Sequence, residues 1–250
     1  MNHLKEVQAY WDLRSHGFSD AILEEADSAL GEKWTTYFRE TLGQMPLDIL
    51  DDGAGAGFFS ILLAQLGHRV TSIDYSGGMV EKIRENMTSR GLTPNALQMD
   101  AQQLDFADES FDAVVQRNVM WNLDDPERAY REIARVLRPG GIFIIDDGNH
   151  YLSKHDAEYA AESERLREIM RREREATEPV PGSHYAHNPE QVDFTIIERI
   201  AEEQPLSFLR RPQWDLEQMI ALGFRDLRVE IDGAGLPRHF RSAARKRREA

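Results

Sequence analysis

The sequence predicts an α/β fold: a doubly wound, mostly parallel sheet of seven strands with helices packed on it. Three observations predict this. Between residues 46 and 150, short apolar strand-like runs alternate with helical ones, a pattern that means parallel strands joined by right-handed crossovers. The run Leu47-Asp48-Ile49-Leu50-Asp51 ends in an acid, enters a turn with Gly53, Gly55 and Gly57, and opens an apolar helix. A second acid, Asp74, lies 21 residues after Gly53 at the end of another apolar run.

Residues 3–13 and 19–42 are polar-amphipathic without strand patterning, so two or three helices precede the sheet, and Pro46 punctuates its start. The first strand ends at Asp51, and a helix follows over Phe58–Leu66. The second strand is His68–Asp74, and its helix, Gly78–Arg90, stops at Gly91. Ala96–Met99 and Phe111–Gln116 are the third and fourth strands. A helix over Pro126–Leu137 ends at Pro139-Gly140, and the fifth strand is Gly141–Asp146.

Residues 151–212 break the rhythm. They carry a long charged helix, roughly 154–177, a loop with Pro, His and Tyr, and a second helical stretch at about 189–203. An insertion of that length after a strand is usually functional, and here a helical lid is expected. A helix over Trp214–Leu222, an alternating strand over Phe224–Ile231 and a final strand around His239–Ala243 complete the sheet. The economical organisation is one domain over 1–250. Helices in 1–45 serve as an N-terminal lid, 46–150 as the ligand-binding core, 151–212 as the insertion and 213–250 as the rest of the sheet.

Composition narrows the function. A chain of 250 residues with 41% hydrophobic content can bury one sizeable core. It has no run of eighteen apolar residues and no apolar secretory region near Met1, so a cytoplasmic protein without a membrane span is expected. The absence of cysteine excludes disulfides, thiolate metal sites and cysteine nucleophiles. Without a His-Glu-x-x-His pattern either, no metal is expected. The net charge of −14 disfavours nucleic acid and anionic membranes as partners. The five arginines within 165–174 are interleaved with Glu168 and Glu173, as on a solvated helix face. Nothing in the sequence sets the oligomeric state.

In an open parallel sheet, ligands sit outside the carboxyl ends of the strands. Asp51, Asp74, Asp100 and Asn118 each follow a strand, so they should converge on one crevice. A carboxylate at the position of Asp74 can accept both hydroxyl hydrogens of a ribose.

The run Ile49-Leu50-Asp51-x-Gly53-x-Gly55-x-Gly57 resembles the first motif of the class I S-adenosylmethionine-dependent methyltransferases, which share a Rossmann-like fold. Asp74-Tyr75-Ser76-x-x-Met79 is similar to their second motif and Asp100-Ala101-Gln102-x-Leu104-x-Phe106 to their third. Phe111-Asp112-Ala113-Val114 and Leu137-Arg138-Pro139-Gly140-Gly141 resemble the fourth-strand and fifth-strand signatures. The likeness covers about residues 45–150, and Asp52 departs from it where the family usually has an apolar residue. A nicotinamide dehydrogenase would carry Gly-x-Gly-x-x-Gly, but the sixth residue counted from Gly53 is Phe58.

The resemblance implies S-adenosyl-L-methionine as cofactor and a small-molecule substrate. Gly53, Ala54 and Gly55 would lie against its methionine half, Asp51 would reach its ammonium, and Asn118 would touch the same moiety. Asp74 would bind the ribose diol, with Tyr75 and Met79 flanking the adenine. Asp100 and the Ala101 N–H would meet the adenine edge. Tyr10-Trp11-Asp12-x-Arg14 is similar to the lid opening of such enzymes, with Tyr10 covering the cofactor and Arg14 pairing with its carboxylate. Core packing of a short helix accounts for Tyr10 and Trp11 equally well.

On the acceptor side, Asn149 and His150 follow strand five, and Tyr185 sits in the insertion beside His184 and His187. Asn149, His150 and Tyr185 are the candidate catalytic residues, with His150 able to take a proton. The implied reaction is in-line methyl transfer to nitrogen, oxygen or carbon. The same pocket also supports transfer of the aminocarboxypropyl arm, including cyclisation, and a binding-only module is a third alternative.

Overall fold

The computed structural model describes residues 3–176, 192–231, 236 and 239–247. Its centre is a seven-stranded sheet: β1 (Asp48–Asp52), β2 (Arg69–Asp74), β3 (Ala96–Gln98), β4 (Phe111–Arg117), β5 (Leu137–Gly148), β6 (Phe224–Ile231) and β7 (His239–Lys246). The spatial order is β3-β2-β1-β4-β5-β7-β6. The first five strands are parallel, while β7 runs antiparallel to both β5 and β6. The order reverses between β1 and β4, and such a switch point opens a crevice at the strands' carboxyl ends.

Alternate residues of β1 build the two cores. Leu50 joins Val114, Ile73 and Phe143 on the face covered by α5 (Pro126–Val136). Ile49 joins Ala113, Val115 and Ile144 on the face covered by α2 (Ala29–Leu42) and α3 (Phe58–Gln65), where Trp34, Phe38 and Phe59 stack edge to face. Strands buried on both faces are what βαβ crossovers demand. The helix starts are locally encoded. Ser28 Oγ accepts from Leu30 N–H at α2, Ser76 Oγ from Met79 N–H at α4 (Gly77–Ser89), and Asp125 from Arg128 N–H at α5.

The N-terminus differs from expectation. Instead of a break near residues 14–18, one helix, α1, runs over Leu4–Ala26. Polar residues of this helix face the neighbouring α4. Ser15 lies against Gly78, Ser19 Oγ and the Asn86 amide hydrogen-bond, and Asp12 accepts from Ser76 Oγ at 2.5 Å and Gly78 N–H at 3.0 Å. Burial of polar groups is allowed there because they are paired. Strand β5 also extends further than expected at both ends.

In the insertion, α6 spans Ala157–Ala176 and α7 only Thr195–Ala201, shorter than the expected 189–203 helix; α8 is Gln213–Ala221. His184, Tyr185 and His187 fall outside the described residues. No described helix is long and apolar enough to cross a membrane.

Candidate functional site

The parallel register aligns Asp51 with Ser72 of β2 and Val115 of β4, so the carboxyl ends of these strands finish together. They open onto a cavity of about 330 Å³. Its wall includes Asp51, Asp52, Gly53, Ala54, Gly55, Asp74, Tyr75, Met79, Asp100, Ala101 and Asn118, with Tyr10, Arg14 and Phe18 from α1. The four residues expected to converge therefore do so.

The glycine turn is built by backbone conformation and by neighbours. Gly53, Gly55 and Gly57 have φ of +72°, +55° and +96°, a region side chains rarely adopt. A Cβ on Gly53 would sit 2.5 Å from Val119 Cγ2, and one on Gly55 would sit 3.0 Å from Phe18 Cε1. The sequence reasoning assigned the space beside Gly55 to the ligand. The side-chain direction at this glycine is instead occupied by α1. Ala54 N–H donates to Ile73 O at 2.8 Å, and Gly55 N–H to Asp74 Oδ2 at 2.9 Å. Ser76 N–H donates to the other Asp74 oxygen at 2.9 Å. Asp74 thus ties the turn to β2 while keeping part of its acceptor capacity for the cavity.

Two acids at this end, Asp51 and Asp52, are buried, and Asp74 is half-buried. Burial pushes the Asp51 and Asp52 carboxyls up to about 7 and that of Asp74 up to about 6. Asp51 accepts from Ser60 Oγ at 2.5 Å, and Asp52 from the Gln116 amide at 2.6 Å. Asp52 Oδ1 is buried and has no hydrogen-bond partner among the described residues. Asp100 accepts from Gln102 N–H at 2.8 Å. Asn118 adopts φ +57°, anchored by its N–H to Asp146 O. Arg117, also on the wall, pairs with Glu25 at 2.8 Å and lies 4.4 Å over the Phe58 ring. Arg14 is 2% exposed and lies 5.2 Å over Phe194.

The opposite end is aromatic and apolar: Leu4, Val7, Trp11, Trp121, Tyr151, Phe194 and Ile197, with His150 among them. His150 Nε2 is 3.2 Å from Asp147 Oδ1, and its ring lies 5.3 Å from Trp121. Asp147 is fully buried, with Arg211 3.0 Å away and the Met120 and Gly148 N–H groups donating to it. Burial alone would raise its carboxyl, but the Arg211 charge and the His150 hydrogen bond outweigh that and hold it well below the usual range. Arg211 also pairs with Asp215, which accepts from Tyr130 Oη at 2.7 Å.

Asn149 is placed differently from expectation. It does not line the cavity. Its amide donates to Arg211 O at 2.7 Å and accepts from Arg211 N–H at 2.9 Å, so it fastens the chain at 211 to the end of β5. Sequence reasoning missed Asp52, Asp147, Arg211 and Asp215. For Asp52 a signal existed, since an acid stood where the resembled family is apolar. The partnership of Asp147 with Arg211 spans 64 residues and left no local pattern.

The model of the family described as methyltransferase domain matches residues 50–145. Phosphatidylethanolamine N-methyltransferase of Cereibacter sphaeroides is 41% identical over 107 residues, covering 41% of this chain and 50% of that protein. A demethylmenaquinone methyltransferase of Clavibacter sepedonicus is 38% identical over 97 residues, 39% of each chain. The chain thus spans half or less of the length of these curated relatives. Among solved structures, magnesium protoporphyrin IX methyltransferase of Synechocystis PCC 6803 with bound SAH superposes with a TM-score of 0.56. It is 15% identical, with 92% of this chain and 83% of that one covered. A SAM-dependent methyltransferase from Aquifex aeolicus gives 0.50 at 18% identity, covering 84% and 88%. At such identities the likeness is one of fold.

Proposed function

We propose that this chain, whose residues 50–145 match the model of the methyltransferase-domain family, is an S-adenosylmethionine-dependent methyltransferase acting on a small molecule. The observation that carries the reading is the acid-lined end of the cavity. Carboxylates follow three adjacent strands around a left-handed glycine turn, and one buried oxygen, Asp52 Oδ1, has no protein partner among the described residues. A ligand with an ammonium, a sulfonium and a ribose diol complements that set. Asp74 would hold the ribose, Tyr75 and Met79 the faces of the adenine, and Asp100 with the Ala101 N–H its edge. Asp51, Gly53, Ala54, Gly55 and Asn118 would hold the methionine part, with Arg14 and Tyr10 closing over it.

When bound, the cofactor supplies an electrophilic methyl on a good leaving group. The chain's own contribution is alignment and exclusion of water. Tyr10 and Val7 of α1 and Ile197 of α7 form one apolar cluster, so these helices act together as a lid. The curated relatives are named for phosphatidylethanolamine and demethylmenaquinone, consistent with a small molecule here. The net charge of −14 argues against nucleic acid.

Calorimetry tests the reading directly. S-adenosylmethionine and S-adenosylhomocysteine should bind in the micromolar range, worth about 8 kcal/mol. Mass spectrometry then separates the chemistries: S-adenosylhomocysteine as product marks methyl transfer, and methylthioadenosine marks arm transfer. Binding of NAD with no response to either adenosyl compound would overturn the proposal.

A further inference from the structure

The acceptor end of the cavity combines two features that together specify a ligand class. One is the aromatic and aliphatic wall of Val7, Trp11, Trp121, Tyr151, Phe194 and Ile197, which offers flat apolar surface and little polarity. The other is a histidine set into that wall and held from behind. Asp147 is held well below the usual carboxylate range and is therefore acceptor-only, so the 3.2 Å contact requires His150 Nε2 to carry the hydrogen. The neutral ring then has its lone pair on Nδ1. Asp147 cannot turn away, because Arg211 and the Met120 and Gly148 N–H groups fix both its oxygens. Trp121, against the same imidazole, has a buried Nε1–H with no acceptor among the described residues.

Resting on the methyltransferase reading above, we propose that the acceptor is an apolar aromatic molecule bearing a hydroxyl, deprotonated by His150, with Asp147 as the positioning residue. The hydroxyl proton passes to His150 Nδ1 as the oxygen bonds to the methyl carbon. The electron pair of the breaking carbon–sulfur bond stays on sulfur, which becomes a neutral thioether. Asp147 stabilises the imidazolium that results, while Arg211 and Asp215 keep Asp147 in place.

The test uses the full chain with S-adenosylmethionine and two probes, 2-naphthol and its more acidic 1-nitro derivative, at pH 7.5. Methyl ether formation is followed by mass spectrometry. His150 is partly exposed, so His150→Gln should fold and bind S-adenosylhomocysteine normally. It should lose about 100-fold with 2-naphthol, the low end for a general base, and under tenfold with the nitro compound, which arrives already ionised. Asp147→Asn should lose activity with 2-naphthol in the same way and move the rising limb of its pH–rate profile to lower pH, which a merely structural loss would not do. Equal losses of His150→Gln on both probes would overturn the base. No transfer to either naphthol, with cofactor affinity intact, would overturn the acceptor class. Absence of cofactor binding would instead sink the methyltransferase reading itself.

Discussion

The two ends of the cavity use buried carboxylates in opposite ways. At the glycine-turn end, Asp51, Asp52 and Asp74 are pushed up by burial, and no Lys or Arg pairs with them among the described residues. At the aromatic end, Asp147 is pulled down by Arg211, a cation the protein itself supplies. The first end leaves its acids without an ion-pair partner from the protein, and the second pairs its acid internally. Unpaired acids gain by binding charge, whereas a paired one can hold a histidine still. On the proposed reading, one cavity would in this way bind a cationic cofactor beside a neutral acceptor.

The largest effect is expected at Arg211. Arg211→Met would strand Asp147 and Asp215 as unpaired charges in the interior, where losing one partner of a buried pair costs about 3–5 kcal/mol. Thermal unfolding should show a drop of that size, accompanied by release of His150. A variant as stable as the parent would mean that the aromatic end does not depend on its internal cation.

The acid-lined end should respond next most strongly to its turn. Gly53→Val combines a left-handed φ with a Cβ 2.5 Å from Val119 Cγ2. Backbone strain of about 1–3 kcal/mol adds to overpacking of similar size. Stability and cofactor affinity should both fall, and an unchanged melting curve would mean that the turn relaxes freely.

These two positions also show what the sequence could reveal. The five parallel strands, the glycine turn and the acids at the strand ends were legible because each lies within a few residues of its own strand and repeats a local pattern. Asp74 is an example: its distance from Gly53 is set by one helix and one strand. The continuous α1 was not legible, because the partners of Ser15 and Ser19 lie on α4, far along the chain. Nor was the role of Asn149, whose partner is the backbone of Arg211. Contacts across long stretches of chain leave no periodicity to read, and the acceptor end is built mainly from such contacts.

Asp74 sharpens the contrast through pH. An acid with a raised folded pKa keeps its proton when the unfolded chain has lost it. Its stabilising contribution is full below about pH 4 and is lost as pH rises through about 6 to 7. Asp147 is the reverse, contributing above about pH 4 and failing as pH drops below it. The unliganded protein should therefore lose stability between pH 5 and pH 8, while its affinity for S-adenosylmethionine rises as the acids ionise. Asp74→Ala should cost about 1–3 kcal/mol of cofactor affinity by calorimetry and flatten part of that pH dependence. An unchanged dissociation constant would move the ribose contact elsewhere.

The smallest expected effect isolates the acid that the family pattern did not anticipate. Asp52 is fully buried with Oδ1 unpartnered, and the Gln116 carbonyl oxygen beside it is unpartnered too, among the described residues. In Asp52→Asn the new amide could donate to Gln116 while still accepting from it, satisfying both orphans without a buried charge. Leaving such a group unmade costs about 1–3 kcal/mol, so the variant should be more stable than the parent by about 1 kcal/mol at pH 8. The gain should vanish toward pH 5, where Asp52 is itself neutral. Affinity for S-adenosylmethionine should fall slightly, and that for the uncharged thioether S-adenosylhomocysteine should fall less. This pairing of higher stability with weaker binding would mean that the buried charge is retained for the ligand at a cost to the fold. If stability is unchanged at pH 8 and the two ligands lose equally, Asp52 is a packing residue, and the acid-lined end rests on Asp51 and Asp74 alone.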